Sequence, residues 1–538
     1  MQSMTTGIGI EGDDIHPKKI RDTDCISIDV QYAHPHLIQV HLFDKTDDVN
    51  QLVQTREWQV HDKDLENIAL IGNLFIVECP LNEEGKVFIK SAPLPKVRNL
   101  KKDQIDFSVF RKDQHTLTFN LHQTGPKALE NWTILEYKGG KHGRIKALQD
   151  WQQSLRAKSD NHSIPKLMSN SWGDRNRDGR INHDFILREI DTATSLGVDV
   201  VQIDDGWQKG ITANSAIAKE KGGVWIGFWD YDPNFWDPHP ERLPHGLEPL
   251  INYAKEKGIE IGLWYAPDSV DEFKNWERDA QQILKIHKTH GVNFFKLDGI
   301  TTETIKARIN LHALLEMVIS EADDNIICEI DVTAGKRPGY FDEIKTGTIF
   351  LENRYSDWHS YWPHYTLRNL WQLSHWIDPR RLRIEFLNNS RNNEQYKGDP
   401  FAPSLYPPAT LFAITIFANP LGWFENTGLP KAFITEVSEL VSIWKKHRAA
   451  IFSGNIIPIG ETPNGVTWTG LCSISKTEES CYALLFNEKS KSSQYTFELP
   501  RAFAQVELLH GEGEIHLKED QLKVVIPSEF SYLFLKLD

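Results

Sequence analysis

The sequence has few of the features that mark a membrane, redox or disulfide-bonded protein. No uninterrupted apolar run approaches the roughly 18 residues that a transmembrane helix needs. Residues 1–20 lack both the basic and the apolar part of a secretory signal. The five cysteines are odd in number and widely scattered, which argues against a disulfide framework or a clustered zinc site. We therefore expect a cytoplasmic protein, although a cleaved signal would leave the same pattern.

Positive charge is also scarce. The chain carries 60 Lys and Arg residues against 75 Asp and Glu residues, which gives a formal net charge of −15 at pH 7. A nucleic-acid partner would require a basic face, and anionic lipid would repel this composition. We expect no nucleic-acid partner and no membrane partner. The oligomeric state stays open, a homo-oligomer included.

Several catalytic signatures are missing. The chain has no HExxH, no P-loop, no GxSxG and no CxxC pair, which excludes the metalloprotease, nucleotide-hydrolase, α/β-hydrolase and thiol-redox interpretations. Residues 174–179 (DRNRDG) resemble the start of an EF-hand loop, but Phe185 stands where calcium needs a bidentate Glu. A turn is the better interpretation, and we expect no metal and no other cofactor.

Tryptophan is abundant. Many of the 17 Trp residues lie in loop-like stretches rich in Gly and Pro. The flat apolar face and the N–H group of the indole suit amphipathic ligands. Sugars are such ligands, because they have apolar C–H faces and polar rims.

The two ends of the chain have the patterning of β-structure. Residues 1–145 contain short alternating or β-branched runs separated by turn residues, which predict an N-terminal β-sandwich. A linker helix is predicted within 146–165. Period-two patterning returns at 456–538 and predicts a small C-terminal β-sandwich. The predicted N-terminal strands are 25–32, 36–43, 68–81, 86–94, 106–112 and 115–123.

Residues 166–455 alternate apolar strand-like runs with amphipathic helical segments. Consecutive runs are 23 to 34 residues apart, except for one step of 60 that predicts a long loop at about 208–245. Eight such units are typical of a (β/α)8 TIM barrel. A doubly wound open sheet is the alternative, but the sequence lacks the Gly-rich nucleotide-binding turn that would favour it. The predicted fold class is therefore multidomain α/β, with a central barrel between two β-sandwiches. The predicted barrel strands are 166–172, 198–204, 259–266, 292–298, 325–331, 348–355, 382–389 and 414–423.

Carboxylates and tryptophans follow the predicted barrel strands. In such barrels the loops after the strands converge on one rim, where catalytic groups lie. At least six strands end near a carboxylate. A single strand-end Asp is often only a helix cap. Several unpaired carboxylates at one rim repel each other, which costs stability. Such a cluster therefore indicates a hydroxyl-rich ligand, a metal or acid–base chemistry. The sequence therefore predicts a polar cup with aromatic walls.

Asp298 and Asp357 are the residues that we expect to carry the chemistry. They follow strands four and six, so their side chains lie on opposite sides of a sugar-sized centre. Lys296 is on the same strand face as Asp298, and its charge would keep Asp298 ionised, as a nucleophile requires. The aromatic Trp358 and His359 favour a protonated Asp357, as a general acid requires. One ionised and one protonated carboxyl is what glycoside hydrolysis needs.

At these residues the chain resembles a known family. The runs VVQIDDGWQ (200–208), IGLWYAP (261–267), FFKLDG (294–299) and RYSDW (354–358) are similar to the barrel of glycoside hydrolase family 36. That family is the α-galactosidase (melibiase) and raffinose-synthase group, within a clan of retaining α-glycosidases. The resemblance covers the whole barrel, and the order of domains is similar too. It implies a retaining, exo-acting α-galactosidase that needs no cofactor and forms a covalent glycosyl-aspartate intermediate on its oligosaccharide or glycoside substrate.

The resemblance also implies residue roles. Asp298 looks like the catalytic nucleophile and Asp357 like the general acid/base. Asp204 and Asp205 look like the pair that binds the O4 and O6 hydroxyls of the sugar. The other residues that we expect to bind substrate are Trp172, Trp207, Trp264, Lys296, Arg337 and Arg354.

The loop after strand five departs from the family pattern. Where the family has a Cys- and Gly-rich loop, this chain has CEIDVTAGKRPGYF (328–341), in which Arg337 stands for the Arg that ends the family's loop. The sugar at the anomeric subsite therefore stays open, with another α-glycoside, a β-L-arabinopyranoside or transglycosylation as alternatives. A non-catalytic sugar-binding protein is the alternative from another class, and the presence of Asp298, Lys296 and Asp357 together speaks against it. A metal-dependent hydrolase would need strand-end His ligands, and only His359 qualifies.

The long loop after strand two carries three tryptophans, Trp225, Trp229 and Trp236. A loop gains nothing by exposing that much aromatic surface to water. It either packs as a small local core or roofs the sugar site. We expect a mixture, with at least one of the three indoles lining the pocket.

Overall fold

The computed structural model describes most of the chain from residue 25 onward, in two compact units. The first unit contains residues up to Leu155 together with Thr301–Ile309 and Gly335–Ile344, and the second contains the remainder. The predicted domain boundaries at 145, 165 and 455 stay predictions. Residues 1–20, for which we expect no secretory signal, lie outside the described residues, and so does part of the loop after strand five. The description covers 25–538 except 33, 45–48, 60–67, 99, 102–103, 114–115, 157–158, 160–163, 332–335 and 477–479.

Two antiparallel sheets form the β-sandwich of the first unit. Its described elements are β1 (Cys25–Val30), β2 (His36–Leu42), β3 (Val53–Gln59), β4 (Ile68–Leu70), β5 (Leu74–Cys79), β6 (Glu84–Ser91), β7 (Phe107–Arg111), β8 (Leu117–His122), β9 (Asn131–Lys138) and helix α1 (Gly140–Ser154). One sheet has the order β1-β8-β7-β4 and the other β3-β2-β5-β6-β9. Phe75 stacks on Phe107 of the opposite sheet, with ring centroids 4.3 Å apart. The predicted β-sandwich is confirmed.

Residues 68–81, predicted as one strand, are split between the two sheets. β4 pairs in the smaller sheet and β5 in the larger one. At the break, the Gly72 N–H donates to Asp106 Oδ2 (2.9 Å) and the Asn73 side chain donates to the Ala92 carbonyl (2.9 Å). These hydrogen bonds stabilise a turn that the apolar pattern of residues 68–81 does not indicate.

A buried ionic cluster surrounds Asp106. Its Oδ1 accepts hydrogen bonds from Lys90 Nζ (2.7 Å) and Arg98 Nη1 (2.7 Å), and its Oδ2 accepts one from Arg98 Nη2 (2.8 Å). Burial alone raises the pKa of Asp106, but the hydrogen bonds and charge of Arg98, and then Lys90, hold the pKa below its ordinary value. The cluster therefore depends on an ionised Asp106.

The second unit contains a closed barrel of eight parallel strands. The strands are β10 (Met168–Asn170), β11 (Val200–Ile203), β12 (Glu260–Tyr265), β13 (Phe294–Leu297), β14 (Ile327–Asp331), β15 (Gly347–Phe350), β16 (Leu382–Phe386) and β17 (Asn419–Trp423). Each overlaps its predicted run, so the TIM barrel is confirmed. The strand predicted at 414–423 begins only at Asn419. The residues before it continue from a helix that ends at Ala413, and the Thr415 hydroxyl donates to the Phe412 carbonyl (2.7 Å).

Helices alternate with the barrel strands. They are α2 (His183–Leu196), α3 (Ala218–Lys221), α4 (Phe228–Tyr231), α5 (Glu248–Glu256), α6 (Trp276–His290), α7 (Ile305–Glu321), α8 (Pro363–Leu373), α9 (Pro408–Ala413) and α10 (Lys431–Ser453). Helix α2 shows how the sequence sets their ends: the Asn182 side chain caps the Phe185 N–H (2.9 Å), and Gly197 ends the helix with φ 84°. Among the described residues, no helix combines the length and hydropathy that a membrane span requires.

The end of the chain is β-structure, as predicted. Its strands are β18 (Asn455–Gly460), β19 (Trp468–Ile474), β20 (Cys481–Asn487), β21 (Gln494–Glu498), β22 (Val506–Gly511), β23 (Glu514–Lys518), β24 (Gln521–Val525) and β25 (Ser531–Leu537). They form a five-stranded sheet, β18-β19-β20-β25-β22, and a three-stranded sheet, β21-β24-β23. The predicted C-terminal β-structure is confirmed.

We predict that the Asp106 cluster is a main determinant of stability in the first unit. Asp106→Asn leaves Lys90 and Arg98 buried without their shared anion, and breaking a buried pair from one side costs about 3–5 kcal/mol. Urea denaturation should show a loss of that order in the free energy of unfolding. The matched control is Asp29→Asn, which removes an exposed partner of Lys112 that solvent already screens. Similar small losses in both variants would contradict the prediction.

Candidate active site

Four aspartates lie at or after the carboxyl ends of barrel strands. Asp204 directly follows β11, Asp298 follows β13, and Asp331 is the last residue of β14. Asp357 lies in the loop after β15. Because the loops after parallel barrel strands meet at one rim, strand ends are where side chains from different strands can act together.

Lys296 is the centre of this group. It lies on β13 and is 3% exposed. Its Nζ donates to Asp204 Oδ2 at 3.0 Å and lies 3.2 Å from Asp331 Oδ2. Burial opposes the charged ammonium, but the neighbouring Asp204 and Asp331 raise the pKa of Lys296 well above its ordinary value. The lysine is therefore a fixed buried cation.

Asp331 was not among the predicted site residues. The signal that could have revealed it is its position as the last residue of a barrel strand. Its carboxylate is 2% exposed and shares Lys296 with Asp204. It is therefore part of the charge balance of the site.

Asp298 is held by two N–H donors. Trp264 Nε1 donates to its Oδ2 (3.2 Å), and the Gly299 N–H donates to its Oδ1 (2.7 Å). Burial, and next the charge of Asp331, raise the pKa of Asp298 to about 7, although Lys296 acts in the opposite direction. Lys296 does favour ionised Asp298, as predicted, but it does not outweigh those two effects.

Asp204 and Asp205 are adjacent in sequence but have different partners. Asp204 Oδ2 accepts from Asn170 Nδ2 (2.7 Å) as well as from Lys296. Asp205 accepts hydrogen bonds from Gln208 Nε2 (2.7 Å) and from the Thr212 hydroxyl. Burial raises the pKa of Asp205 to about 7. Asp204 thus belongs to the Lys296 group, whereas Asp205 fastens the loop after β11.

Two of the three loop tryptophans pack as a local core. Trp236 is 1% exposed and stacks on Tyr265, with ring centroids 4.0 Å apart and planes at 25°. Trp229 is 7% exposed and its Nε1 donates to Asp279 (2.9 Å). Trp207, from the predicted site, is fully buried and donates to the Trp264 carbonyl (2.8 Å). Trp207 and Trp236 therefore pack against the Trp264 segment, and the ring centroids of Trp236 and Trp264 are 5.7 Å apart.

Trp225 is in a different position. It is only partly buried, and its ring centroid lies 6.2 Å from that of Trp264. A Cβ placed on Gly299 would lie 3.5 Å from Trp225 Nε1. Trp225 is therefore next to the Asp298 segment. The expectation that at least one loop indole lines the pocket stays a prediction, with Trp225 as the indole in position.

Asp357 lies in a more open environment than Asp298. Its side chain is 37% exposed, whereas Asp298 is 7% exposed. Arg175 Nε lies 3.3 Å from Asp357 Oδ2, and the guanidinium is stacked over the rings of Tyr355 (4.7 Å) and Trp358 (4.1 Å). The two carboxyl groups are thus distinct, one buried among charges and one at the surface beside a cation. Arg175 was not predicted, because its segment was interpreted as a turn.

Tyr355 connects the two parts of the site. Its ring lies against Trp358 on one side, at 4.8 Å, and against Trp423 at 6.0 Å. The Lys296 ammonium lies 5.0 Å from the Trp423 ring centroid. The aromatic cluster therefore fixes the Asp357 loop relative to the Lys296 group.

Arg354, a predicted sugar ligand, contacts the protein itself. It is 1% exposed, with Nε 2.9 Å from Glu352 Oε2 and Nη1 donating to the Ser360 carbonyl (3.0 Å). Glu385 accepts the N–H groups of Asn353 (3.0 Å) and Arg354 (2.6 Å). These bonds hold the loop that carries Asp357.

Two further predicted site residues have contacts of other kinds. Arg337 belongs to the first unit and is buried, with Nε 3.4 Å from Asp44 Oδ2 and Nη1 donating to the Pro338 carbonyl (3.0 Å). Trp172 follows β10, and its backbone N–H donates to Asn170 Oδ1 (2.9 Å). Its ring packs against the apolar cluster that includes Tyr355. The sugar contacts expected of both residues stay predictions.

The loop that resembles an EF-hand is held by ion pairs. Asp174 Oδ2 lies 3.1 Å from Arg391 Nη1, and Asp178 Oδ2 lies 2.8 Å from Arg242 Nη2. Within the described part of the chain, no group of three or more His, Cys, Asp or Glu side chains could hold a metal ion. The turn that the sequence favoured is what the structure has at these residues.

The barrel and the carboxylates at its strand ends can be compared with known proteins. No family model matches the chain. The α-galactosidase of Escherichia coli is 33% identical over 90 residues, which are 17% of this chain and 11% of that protein. α-Galactosidase Mel36A of Lactobacillus acidophilus is 25% identical over 136 residues, 25% of this chain and 16% of that protein. The matched segments thus span only a small part of these curated relatives.

Solved structures match over nearly the whole chain. The family 36 α-galactosidase AgaA of Geobacillus stearothermophilus, solved as a variant with 1-deoxygalactonojirimycin, has a TM-score of 0.64 at 12% identity, over 95% of this chain and 76% of that one. The α-galactosidase of Lactobacillus brevis has a TM-score of 0.62 at 12% identity, over 94% and 75%. In fold and in local sequence the chain is therefore similar to glycoside hydrolase family 36, as its motifs predicted.

We predict that the loop indoles differ in what their removal does. Trp236→Ala empties a fully packed position, which costs about 3–5 kcal/mol. Trp225→Ala removes a partly exposed ring and should cost clearly less. Thermal and urea unfolding of both variants measure the difference. Equal losses of stability would mean that the whole loop is one packing unit and that Trp225 is not a wall residue.

Proposed function

We propose that the protein is a retaining exo-α-galactosidase that hydrolyses terminal α-galactosyl residues of oligosaccharides or other glycosides. The observation that carries the proposal is the group at the strand ends: buried Asp298 beside Lys296, Asp204 and Asp331, with exposed Asp357 after β15. The names of the relatives, α-galactosidases throughout, supply the sugar. Another AgaA variant was solved with raffinose.

In the first step, ionised Asp298 attacks the anomeric carbon. The C1–O bond to the leaving group breaks, and Asp357 donates its proton to the departing oxygen. Trp264 and the Gly299 N–H orient the attacking carboxylate. The product of this step is a β-linked galactosyl ester of Asp298.

In the second step, Asp357 acts as a base. It takes a proton from water, the water oxygen attacks C1 from the face that the leaving group left, and Asp298 is released as a carboxylate. Two inversions give net retention. Asp357 is exposed enough for water to reach it, which is consistent with this role.

Sugar hydroxyls would bind to the Lys296 group. Asp204 and Asp331 can accept hydrogen bonds, and the Lys296 ammonium can donate them. Because the three side chains already hold one another in place, little side-chain entropy is lost when the sugar binds. The proposal retains the sequence-based expectations of no nucleic-acid or membrane partner and a cytoplasmic location.

The pKa of Asp298 gives a prediction about pH. Only ionised Asp298 is a nucleophile, and its pKa of about 7 lies above the ordinary value. α-Galactosyl fluoride is a suitable substrate, because its leaving group needs no protonation. Its kcat/KM should fall as the pH is lowered through about 7. Asp331→Asn removes a charge that raises this pKa, so the acid limb should move to lower pH.

A matched control tests the assignment of that limb. Burial also raises the pKa of Asp279 to about 7, and Asp279 contacts Tyr265 and Trp229. Asp279→Asn should leave the limb where it is. A limb that moves in Asp279→Asn and not in Asp331→Asn would contradict the assignment to Asp298.

The roles of the two carboxyls can be separated with alanine variants and azide. General acid–base catalysis contributes about 10²–10⁴-fold, so Asp357→Ala should lose that factor on an α-galactosyl disaccharide and far less on the fluoride. Asp298→Ala should lose both activities. Azide should then give β-galactosyl azide with Asp298→Ala and α-galactosyl azide with Asp357→Ala. The exposed Asp191 on α2 supplies the control, Asp191→Asn, which should stay within twofold of the unchanged protein.

The same assay decides between the alternatives. A panel of α-galactosides, other α-glycosides and β-L-arabinopyranosides identifies the sugar, and added acceptor sugars reveal transglycosylation. Turnover of another member of the panel, with none of the galactosides, would overturn the proposed specificity. Binding of sugars without turnover of any substrate would favour the non-catalytic protein.

A further inference from the structure

Arg175 contacts the proposed acid/base residue, although the two residues are far apart in the chain. It follows the short helical turn Ser171–Asp174 after β10, and its Nε donates to Asp357 Oδ2 at 3.3 Å. Among the residues that the structure describes, no other group donates a hydrogen bond to the Asp357 carboxylate or forms an ion pair with it. The orientation of this exposed carboxylate therefore depends on Arg175.

The guanidinium of Arg175 is itself fixed by stacking. It lies 4.7 Å from the ring centroid of Tyr355 and 4.1 Å from that of Trp358, and both rings belong to the loop that carries Asp357. A planar guanidinium can stack on aromatic rings and still donate at its edge, because its N–H groups lie in the plane. Its proton is not lost in proteins. Arg175 is therefore a permanent cation that the Asp357 loop itself holds against Asp357.

The backbone at Arg175 has a conformation that residues other than Gly usually avoid. Its φ is 63°, in the left-handed region. The preceding residue, Asp174, accepts the Glu425 N–H at 3.1 Å. Arg391 lies 3.1 Å from the Asp174 carboxylate and donates to the Asp174 carbonyl at 3.1 Å. Such strain persists only where the surroundings enforce it, and at a site it points to a role for the side chain.

We propose that Arg175 is a positioning residue for Asp357 and acts mainly in the second step of the reaction. The inference rests on the proposed function. In the glycosyl-enzyme, Asp357 has given up its proton and must accept one from the attacking water. A guanidinium donates hydrogen bonds and accepts none, so its contact with Asp357 is strongest when Asp357 is a carboxylate. Arg175 thus holds the base ionised and in one orientation while water attacks.

The contact leaves one oxygen of Asp357 for the proton. Arg175 binds Oδ2, so Oδ1 faces the water. As the water O–H bond breaks and its proton moves to Oδ1, the water oxygen bonds to C1. The bond between C1 and Asp298 breaks, and its electron pair returns to the Asp298 carboxylate. In the first step the same orientation directs the Asp357 proton at the departing oxygen.

Two substrates with small leaving groups separate the steps. α-Galactosyl fluoride needs no proton from Asp357 in the first step, so the second step should set its kcat. Methyl α-galactoside needs the proton, because methoxide is a poor leaving group. Neither substrate has a leaving sugar, so any effect of Arg175 on them acts through Asp357.

Arg175→Met removes the charge and the N–H donors and keeps an unbranched side chain. General acid–base catalysis contributes about 10²–10⁴-fold, and a base that is no longer oriented should lose about tenfold of it. For the fluoride, kcat and KM should fall together, each about tenfold, because the glycosyl-enzyme accumulates and kcat/KM reports only the first step. For methyl α-galactoside, kcat/KM should fall about tenfold.

Two further variants control for charge and for stacking. Arg175→Lys keeps the charge but cannot stack as a plane, so it should show a smaller split of the same kind, and it serves as the test if Arg175→Met does not fold. Arg278 is a matched control, because its guanidinium lies 3.9 Å from the ring centroid of Trp229. Arg278→Met removes a stacked, exposed arginine and should leave the kinetics of both substrates unchanged.

Mass spectrometry during turnover of the fluoride gives a second readout. Arg175→Met should carry a larger fraction of hexosylated protein than the unchanged protein and Arg278→Met. Equal losses in kcat and kcat/KM for the fluoride would indicate a merely structural role and overturn the inference, and so would kinetics like those of the unchanged protein. In either case the proposed function stands. If the unchanged protein hydrolyses neither galactoside, the proposed function and this inference fail together.

Discussion

The site depends on one buried cation shared by three carboxylates. Lys296 contacts Asp204 and Asp331 directly, and its charge also acts on Asp298. An ion in a barrel interior is costly unless it is paired and hydrogen-bonded. Burial raises the pKa of Asp298 first, and the charge of Asp331 raises it further, because three carboxylates around one ammonium cannot all ionise cheaply. The chemistry that we propose requires ionised Asp298, so the proton that this environment favours must leave before Asp298 attacks.

A chain of polar side chains fixes the cation from inside the barrel. Asn170, which bonds Asp204, also donates to Gln202 Oε1 (2.7 Å), and Gln202 Nε2 donates to Glu329 (3.3 Å). Glu329 in turn accepts from Arg383 Nε (2.5 Å). Each member is buried and has a partner, so the network can stabilise one arrangement rather than several. The barrel thus supplies a rigid support, whereas the Asp357 loop supplies the exposed side of the site.

The regular part of this architecture could be predicted from the sequence. Eight apolar runs, 23 to 34 residues apart except for one step of 60, indicated the barrel, because buried parallel strands are apolar on both faces. The carboxylates at strand ends were found for the same reason. Contacts between loops were not predictable: Arg175 lies beside Asp357 although 182 positions separate them. The split of residues 68–81 depends on Asp106, which is also distant in sequence. Trp225 and Trp236 have similar surroundings in the sequence, but Trp225 is partly exposed and Trp236 is buried. Tertiary packing alone makes this difference, so the sequence could not predict it.

The most direct test of the account is to trap the galactosyl group on the protein. Without the base that Asp357 supplies, the second step should become slow while α-galactosyl fluoride still drives the first. Mass spectrometry of Asp357→Ala after brief exposure to the fluoride, followed by peptide mapping, locates any adduct. The account predicts one hexosyl group on the peptide that contains Asp298. Rapid turnover without an adduct, or an adduct on a different carboxylate, would contradict it.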